Sequence, residues 1–235
     1  MQRYFAKNKL EDKLILYDSD LHHIKNVMRG SVGDQIEVIY EDVVHICQIK
    51  NIAPLELEIV LTKNEDREMK TKLTIAISLV NEQKMDLILQ KLTELGVSTI
   101  IPLKTERSIV RLDDQKEVKK LARWQTICKE ACEQSKRTRI PKIEKVTSIK
   151  ELVNINNTLK LVCSLDKNSK PLHDYLKNDI GEVLFVIGPE GGFTEKEESF
   201  LLNNNFLPTS LGKRVMRVET AAIYTASIIN YICEG

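Results

Sequence analysis

The sequence predicts an α/β protein in which a mostly parallel sheet follows a small β-rich N-terminal domain. Two observations lead to this prediction. In the first seventy residues, short runs rich in Ile and Val follow one another closely, which is typical of consecutive strands. Beyond the charged stretch 63–72, apolar runs alternate with amphipathic helices, and this alternation favours parallel strands covered by helices on both faces. The change of pattern predicts two domains, 1–70 and 71–235.

The N-terminal domain reads as a small barrel with one helical insertion. Ser19 can cap a short helix whose apolar positions recur at helical spacing, and Gly30 and Gly33 then break the chain into a turn. The predicted strands are Arg3–Ala6, Leu14–Tyr17, Gln35–Tyr40, Val43–Ile49 and Leu55–Leu61.

In the C-terminal domain, strands and helices alternate. Lys84–Leu95 has its apolar residues on one helical face, and Gly96 is placed to end the helix. Helices are also predicted over Asp114–Ser135 and Val218–Ile232. The predicted strands are Leu73–Val80, Val97–Pro102, Leu159–Ser164 and Glu182–Ile187.

The composition is that of an ordinary globular protein, with 42% apolar and 29% charged residues. No stretch approaches the roughly 18 apolar residues of a spanning helix, and the opening lacks the apolar core of a signal peptide, so we expect no membrane segment and a cytoplasmic protein. The five cysteines form no C-x-x-C pair. Buried packing is therefore favoured over metal binding for Cys128 and Cys132, and no metal site is expected.

Basic residues are concentrated in one segment although the net charge is only +1. Residues 104–142 contain twelve lysines and arginines against six acidic residues. Such a segment is either a solvated helix face or a surface that contacts phosphates, and the sequence leaves both open at this point.

A glycine-rich loop, Gly188-Pro189-Glu190-Gly191-Gly192-Phe193, lies between a predicted strand and a helix that begins with the capping box Thr194-x-x-Glu197. Glycines allow close backbone approach to a ligand, although a purely structural turn is the alternative. Phosphate binding is disfavoured, because the loop has no P-loop lysine and places Glu190 where an anion would lie. A neutral or cationic ligand fits better.

Several motifs together resemble the ribosomal RNA small subunit methyltransferase E family, which makes 3-methyluridine in 16S rRNA. They are GPEGGF at 188–193, LGKRVMRVETAA at 211–222, KMDLILQKLTELGV at 84–97, TERS at 105–108 and EACEQSKRTRIP at 130–141. The resemblance spans nearly the whole chain, in the family's order and spacing. Lys213, Met216 and Val218 depart from the usual motif.

The resemblance implies a SPOUT-type catalytic domain with a C-terminal trefoil knot, a PUA-like N-terminal barrel that binds RNA, and a homodimer with sites completed across its interface. It also implies S-adenosylmethionine as the cofactor. The residues implied to hold the cofactor are Ser164, Leu165, Ile187, Gly188, Pro189, Glu190, Gly191, Gly192, Leu207, Leu211, Gly212, Arg214, Val215, Met216, Thr220 and Ala221.

The reaction implied is methylation of uridine N3 in the small ribosomal subunit. N3 of uracil is a weakly acidic imide that must lose its proton, so cations such as Arg217 or Arg107 near O2 or O4 would favour the anion. Glu94 is a candidate proton acceptor, and Gln134 offers neutral hydrogen bonds to the imide edge. Candidate RNA contacts are Arg3, His22, His23, Arg29, Arg137 and Arg139. The alternatives are a methyltransferase of this class acting on another RNA, such as tRNA, and a non-catalytic RNA-binding protein.

Overall fold

The computed structural model describes residues 1–11, 13–156, 158–166, 169–176 and 180–234. The chain divides into two compact units. The first unit consists of residues 1–68 and 129–139, and the second of residues 69–128 and 140–235. The division at residue 68 lies close to the predicted boundary at 70. The sequence did not predict that 129–139 groups with the N-terminal residues.

The first unit contains a four-stranded sheet and a hairpin. The strands are β1 (Arg3–Phe5), β2 (Asn8–Leu10), β3 (Lys13–Ile15), β4 (Gln35–Tyr40), β5 (Val43–Ile52) and β6 (Leu55–Lys63). The sheet has the order β1-β4-β5-β6, with β1 parallel to β4 and the other pairs antiparallel, and β2 pairs with β3. Among the described residues no ladder joins β6 back to β1, so the hydrogen bonding is that of an open sheet.

The predicted helical insertion lies between β3 and β4. It consists of α1 (Asp18–His22) and a π-helical turn, His23–Val27. The prediction that Ser19 caps this helix is wrong, because the helix begins one residue earlier, after Tyr17, with no side-chain cap. Gly33 then has a φ of +98°, which suits a glycine at this turn.

Paired charges are buried in the first unit. Arg3 is 1% exposed, and its guanidinium lies 2.9 Å from a carboxylate oxygen of both Glu37 and Glu65. Lys129 lies 2.7 Å from both Asp20 and Glu133. Because a buried charge without a partner is costly, these pairs are part of the core of the unit rather than of its surface.

The second unit is built on a parallel sheet. Its strands are β7 (Lys72–Ser78), β8 (Thr99–Lys104), β9 (Lys142–Ile143), β10 (Thr147–Ser148), β11 (Leu159–Cys163), β12 (Lys170–Pro171), β13 (Glu182–Ile187) and β14 (Leu207–Ser210). The order is β10-β8-β7-β13-β11-β14-β12, with β9 also paired to β8, and every pair is parallel. The predicted parallel sheet is therefore confirmed.

Helices cover both faces of this sheet. They are α2 (Glu82–Glu94), α3 (Asp114–Ser135), α4 (Ile149–Leu152), α5 (Glu195–Asn203) and α6 (Val218–Glu234). Alternate residues along β13 enter different cores: Phe185 packs with residues of α2, α3 and α6, whereas Val186 packs with residues of α4 and α5. This separation follows from the two-residue period of a strand. The helix α3 belongs to the second unit up to Cys128 and to the first from Lys129.

In the described ranges, no helix is both long and apolar enough to cross a membrane. No group of three or more His, Cys, Asp or Glu side chains there could hold a metal ion. Cys128 and Cys132 are fully buried, as the sequence predicted.

Candidate active site

A cavity of about 1100 Å³ opens at the carboxyl ends of three neighbouring strands in the second unit. Ser164 follows β11, Gly188 follows β13 and Leu211 follows β14, and all three line the cavity. Because parallel strands end at the same edge of a sheet, their loops meet there. Ala221 and Tyr224 of α6 contribute a further wall.

The glycine loop forms a tight turn against the cavity. The amide of Gly192 donates a hydrogen bond of 2.8 Å to the carbonyl of Pro189, and Gly192 has a φ of +69°. A Cβ atom at Gly188 would lie 3.0 Å from the ring of Phe193. The backbone conformation at position 192 therefore favours glycine, and a side chain at position 188 would require the Phe193 ring to shift. The predicted capping box is confirmed: Thr194 and Glu197 exchange hydrogen bonds at the start of α5.

The segment 105–108 stabilises this loop and the start of α5 through hydrogen bonds. Arg107 lines the cavity and donates hydrogen bonds to the carbonyls of Gly191 and Phe193, at 2.7 and 3.3 Å. The amide of Glu106 donates to the Glu197 carboxylate at 2.8 Å. The Arg107 guanidinium thus stabilises the backbone of the loop from within the cavity.

Glu190 is paired, which the sequence did not reveal. Its carboxylate lies 2.8 Å from the ammonium of Lys84, which is also 3.8 Å from Glu219. The hydrogen bond from Lys84 lowers the pKa of Glu190, and the same contact raises the pKa of Lys84. Two carboxylates share one ammonium, so this trio carries an excess of negative charge beside the cavity.

A second polar wall follows β11. The Ser164 hydroxyl donates a hydrogen bond of 2.5 Å to Glu198, and accepts one of 3.1 Å from the Asp166 amide. Burial, and secondarily the charge of Glu198, raise the pKa of the Cys163 thiol to about 11. Outside the segments expected to hold the cofactor, sequence reasoning missed the polar lining residues Cys163, Asp166, Ser169, His173, Glu198 and Tyr224.

Most of the residues expected to hold a cofactor lie together at this cavity. All of them line it except Leu207 and Thr220. Leu207 begins β14, at the end of the strand opposite to Leu211, and Thr220 is exposed in the first turn of α6. Sequence motifs could not show these orientations.

Of the residues expected to act in catalysis, Arg107 is the one that lines the cavity. Arg217 is exposed directly before α6. Glu94 ends α2 and lies 2.9 Å from Lys91. Gln134 is an exposed residue of the first unit.

The residues expected to contact RNA lie in the first unit and differ in how exposed their side chains are. Arg3 and Arg137 are buried, and the Arg137 guanidinium is bound to Glu68 at 2.5 Å. In this structure neither presents its charge to solvent, so they act as structural residues here. Arg139 is exposed and lies 2.8 Å from Asp42.

The other three expected RNA contacts lie on the helical insertion or just after it. His22 and Arg29 are exposed, whereas His23 shares a hydrogen bond of 2.9 Å with the Tyr4 hydroxyl. Much of the basic segment is also paired in the second unit, where Lys120 contacts Glu82 and Arg123 contacts Asp86. The charge excess in 104–142 is therefore smaller at the surface than the sequence suggests.

Two family models match the chain. The model for an RNA methyltransferase domain matches residues 67–230, and the model for an RNA methyltransferase PUA domain matches residues 16–62. The first match covers the whole sheet of the second unit, and the second includes the helical insertion.

Full-length relatives give the same result. The ribosomal RNA small subunit methyltransferase E of Bacillus subtilis is 36% identical, covering 100% of this chain and 98% of the relative. The structure of that enzyme from Neisseria gonorrhoeae, bound to S-adenosyl methionine, has a TM-score of 0.88 and 31% identity, covering 99% of this chain and 98% of the other. A Legionella pneumophila protein in complex with the bound cofactor SAM has a TM-score of 0.92 and 31% identity, covering 98% and 97%. With its cavity at the strand ends and relatives that match it from end to end, the chain belongs to the ribosomal RNA small subunit methyltransferase E family.

Proposed function

We propose that this protein transfers the methyl group of S-adenosylmethionine to N3 of a uridine in 16S rRNA of the small ribosomal subunit. The observation that carries the proposal is the cavity at the carboxyl ends of β11, β13 and β14, where nearly all residues expected to hold the cofactor meet. Relatives of similar length and fold were solved with that cofactor bound.

The cavity fits a molecule of this kind. Its volume of about 1100 Å³ is slightly above the ~300–1,000 Å³ usual for small-molecule pockets, so it has room for a ligand of this size. A side chain at position 188 would press on Phe193, and one at position 192 would strain the backbone, so either substitution would disturb the cavity wall that would contact a ligand. The Ser169 hydroxyl is buried with no hydrogen-bond partner in the described parts of the chain, so it is available to a bound molecule. The residues present therefore suit the proposed cofactor.

The charges near the cavity also suit a sulfonium ion. Glu190 and Glu219 lie 2.8 and 3.8 Å from the Lys84 ammonium, so two carboxylates accompany this one ammonium, with the positive charge of Arg217 also near it. A nearby negative charge stabilises a cation by Coulomb attraction, more strongly where water is excluded. The bound cofactor supplies an electrophilic methyl group, while the backbone of 188–192 and 211–216 would hold it in place.

The acceptor base must be activated as an anion. A cation beside O2 or O4 lowers the pKa of N3, and each unit of lowering corresponds to about 1.4 kcal/mol. We assign this role to Arg107 or Arg217. Arg107 lies in the cavity but already binds two carbonyls, whereas Arg217 is exposed and carries no recorded ion pair in the described residues. Glu94 as proton acceptor and Gln134 as a contact to the imide edge remain predictions.

The trefoil knot and the homodimer belong to the same proposal. The order of the strands supports the proposed knot, because β14 lies between β11 and β12 in the sheet although it follows both in sequence. Exposed apolar side chains support a second copy of the chain at this unit: Leu165 and Val215 at the cavity are each at least 74% exposed, and Tyr231 of α6 is 79% exposed. Isolated apolar residues are common on surfaces, but such a group favours an interface.

RNA binding is assigned to the first unit. His22 of the helical insertion and Arg29 just after it are exposed, and Arg139 is exposed although paired. Surface ion pairs are weak, so a phosphate can compete for Arg139, whereas displacing the buried pairs of Arg3 and Arg137 would be costly. We therefore assign the rRNA contacts to His22, Arg29 and Arg139, with the cytoplasm as the compartment.

The test is methyl transfer from labelled S-adenosylmethionine to small subunits from cells that lack this protein, followed by nucleoside analysis. A 3-methyluridine product supports donor, base and substrate together. Methylation of tRNA but not of the subunit would replace the substrate assignment. Failure to bind the donor would favour a non-catalytic RNA-binding protein and overturn the proposal.

A further inference from the structure

We propose that Glu198, held in place by Ser164, recognises the ribose hydroxyl groups of the methyl donor. The inference rests on the proposed use of S-adenosylmethionine and adds a specificity-determining residue to that site. No sequence motif pointed to Glu198. The inference comes instead from the Glu198 carboxylate in the cavity wall, because only one of its two oxygens is hydrogen-bonded within the described part of the chain.

The geometry isolates one oxygen of the carboxylate. Glu198 lies on the first turns of α5 and lines the cavity together with Ser164, the first residue after β11. The Ser164 hydroxyl donates to Oε1 of Glu198 at 2.5 Å. Among the described residues, Oε2 of Glu198 has no hydrogen-bond or ion-pair partner. A carboxylate can accept several hydrogen bonds, so this one has capacity left for a ligand.

The hydroxyl of Ser164 fixes the orientation of this carboxylate. Its oxygen also accepts a hydrogen bond from the Asp166 amide, so the hydroxyl proton is directed towards Glu198. Ser164 is therefore a positioning residue, and Glu198 is the residue expected to touch the ligand. Preorganisation of this kind reduces the entropy lost on binding.

The hydrogen-bonding capacity of the cavity wall at Glu198 decides which part of the methyl donor fits there. An ionised carboxylate only accepts hydrogen bonds, so it requires a ligand group that donates. The amino-acid end of the donor has an ammonium, but it also has a carboxylate that would lie beside Glu198 and the neighbouring Asp166. A ribose diol offers two donors with no negative charge, and Ser169 and Ser210 add hydroxyls to the same cavity. The diol is therefore the better match.

The experiment measures binding by titration calorimetry, with S-adenosylhomocysteine and its analogue lacking both ribose hydroxyls as probes. We compare the full-length protein with Glu198→Gln, Ser164→Ala and the control Glu195→Gln. Glu195 is an exposed carboxylate in the first turn of the same helix and does not line the cavity. Thermal unfolding of each variant reports whether the fold is retained.

We expect Glu198→Gln to weaken S-adenosylhomocysteine binding on the order of tenfold, which is the effect of losing a hydrogen bond to a charged group. Ser164→Ala should weaken it in the same ligand-dependent way. The analogue without hydroxyls should bind the wild type and Glu198→Gln with equal affinity, and Glu195→Gln should match the wild type for both probes.

Two results would overturn this inference while leaving the proposed function intact. One is wild-type affinity of Glu198→Gln for S-adenosylhomocysteine. The other is an equal loss of affinity for both probes, which would direct Glu198 to another part of the ligand, such as its ammonium. If the wild-type protein binds neither probe, the proposed function itself fails, so the two failures are distinguishable.

Discussion

Gly192 combines a backbone requirement with a place in the cavity wall. Its φ of +69° lies in the left-handed region, where a side chain costs about 1–2 kcal/mol. We expect Gly192→Ala to lower the free energy of unfolding by about this amount and to weaken S-adenosylhomocysteine binding. Denaturant titration and calorimetry measure the two effects.

Gly181→Ala is the matched control for that substitution. Gly181 lies in the same unit, has no positive φ, and a Cβ there would meet nothing within 4 Å. We expect it to leave both quantities close to wild type. Equal effects of the two substitutions would show that the loop tolerates a side chain.

Glu65 makes the stability of the first unit depend on pH. Hydrogen bonds from Lys63 and then from Arg3 lower the pKa of Glu65 to about 2 from an ordinary value of 4.5. A carboxylate with a lowered pKa stabilises the fold fully above its unfolded value, and this contribution is lost as the pH falls from about 4.5 towards 2.

We therefore expect Glu65→Gln to flatten the pH dependence of the unfolding free energy in that window, corresponding to about one proton fewer taken up on unfolding. Urea titrations at a series of pH values give the slope. Glu56→Gln is the control, because Glu56 is exposed and has no ion pair in the described residues. An unchanged slope for Glu65→Gln would show that the ion pairs do not form in solution.

Single residues also show what the sequence could predict. The glycine loop and the capping box could be predicted because glycine and helix-capping residues have strong local conformational preferences. The partners of Glu190 and Glu198 could not be predicted, because Lys84 lies 106 residues from Glu190 and Ser164 lies 34 residues from Glu198 in sequence. Arg3 and Arg137 were misread as surface charges because a sequence does not show which acidic residues will face them.

At the scale of elements, long periodic segments were predicted well. The bounds of α3 and β13 are those that the sequence indicated, because α3 is a long segment with a helical period and β13 is a continuous apolar run. Six of the described short elements, β2, β9, β10, β12, β14 and α4, were not predicted, since two to four residues carry no periodic signal. Tertiary pairing, rather than local preference, creates the short strands.

The residues at and just beyond the end of α3 differ sharply in the cost of losing a charge. Arg137 is 4% exposed and bound to Glu68, so Arg137→Ala leaves that carboxylate without its charged partner. We expect a loss of about 3–5 kcal/mol in the free energy of unfolding. Arg139 forms an exposed pair with Asp42, so Arg139→Ala should cost less than about 1 kcal/mol.

Denaturant unfolding of both variants tests this difference. If Arg137→Ala proved as stable as Arg139→Ala, the buried pair with Glu68 would not be a stabilising feature. RNA affinity should be compared at temperatures where each variant is folded, because otherwise a loss of stability would be mistaken for a lost phosphate contact.

At the scale of the molecule, the two units are not two consecutive stretches of chain. Residues 129–139 belong with 1–68, where Lys129 and Arg137 are buried against Asp20 and Glu68 and the half-buried Lys136 contacts Glu37. A chain shortened to residues 71–235, which the sequence alone suggests as a domain, lacks those partners. We expect its residues 129–139 to lose their order while α2 retains it.

Hydrogen exchange measured by mass spectrometry tests this expectation. Amides of 129–139 should exchange rapidly in the shortened chain and slowly in the full chain, whereas amides of α2 should be protected in both. Equal protection of 129–139 in both chains would mean that this segment is ordered without the N-terminal residues.

The division of α3 between two units also sets an order of events during biosynthesis. The N-terminal 68 residues leave the ribosome first, but their unit is incomplete until residue 139 has been added. At about 5–20 residues per second, the nascent segment waits several seconds for its missing helical end. During that interval Arg3, Asp20 and Glu68 have partial sets of partners, so the N-terminal unit can complete its folding only after more than half of the chain has been made.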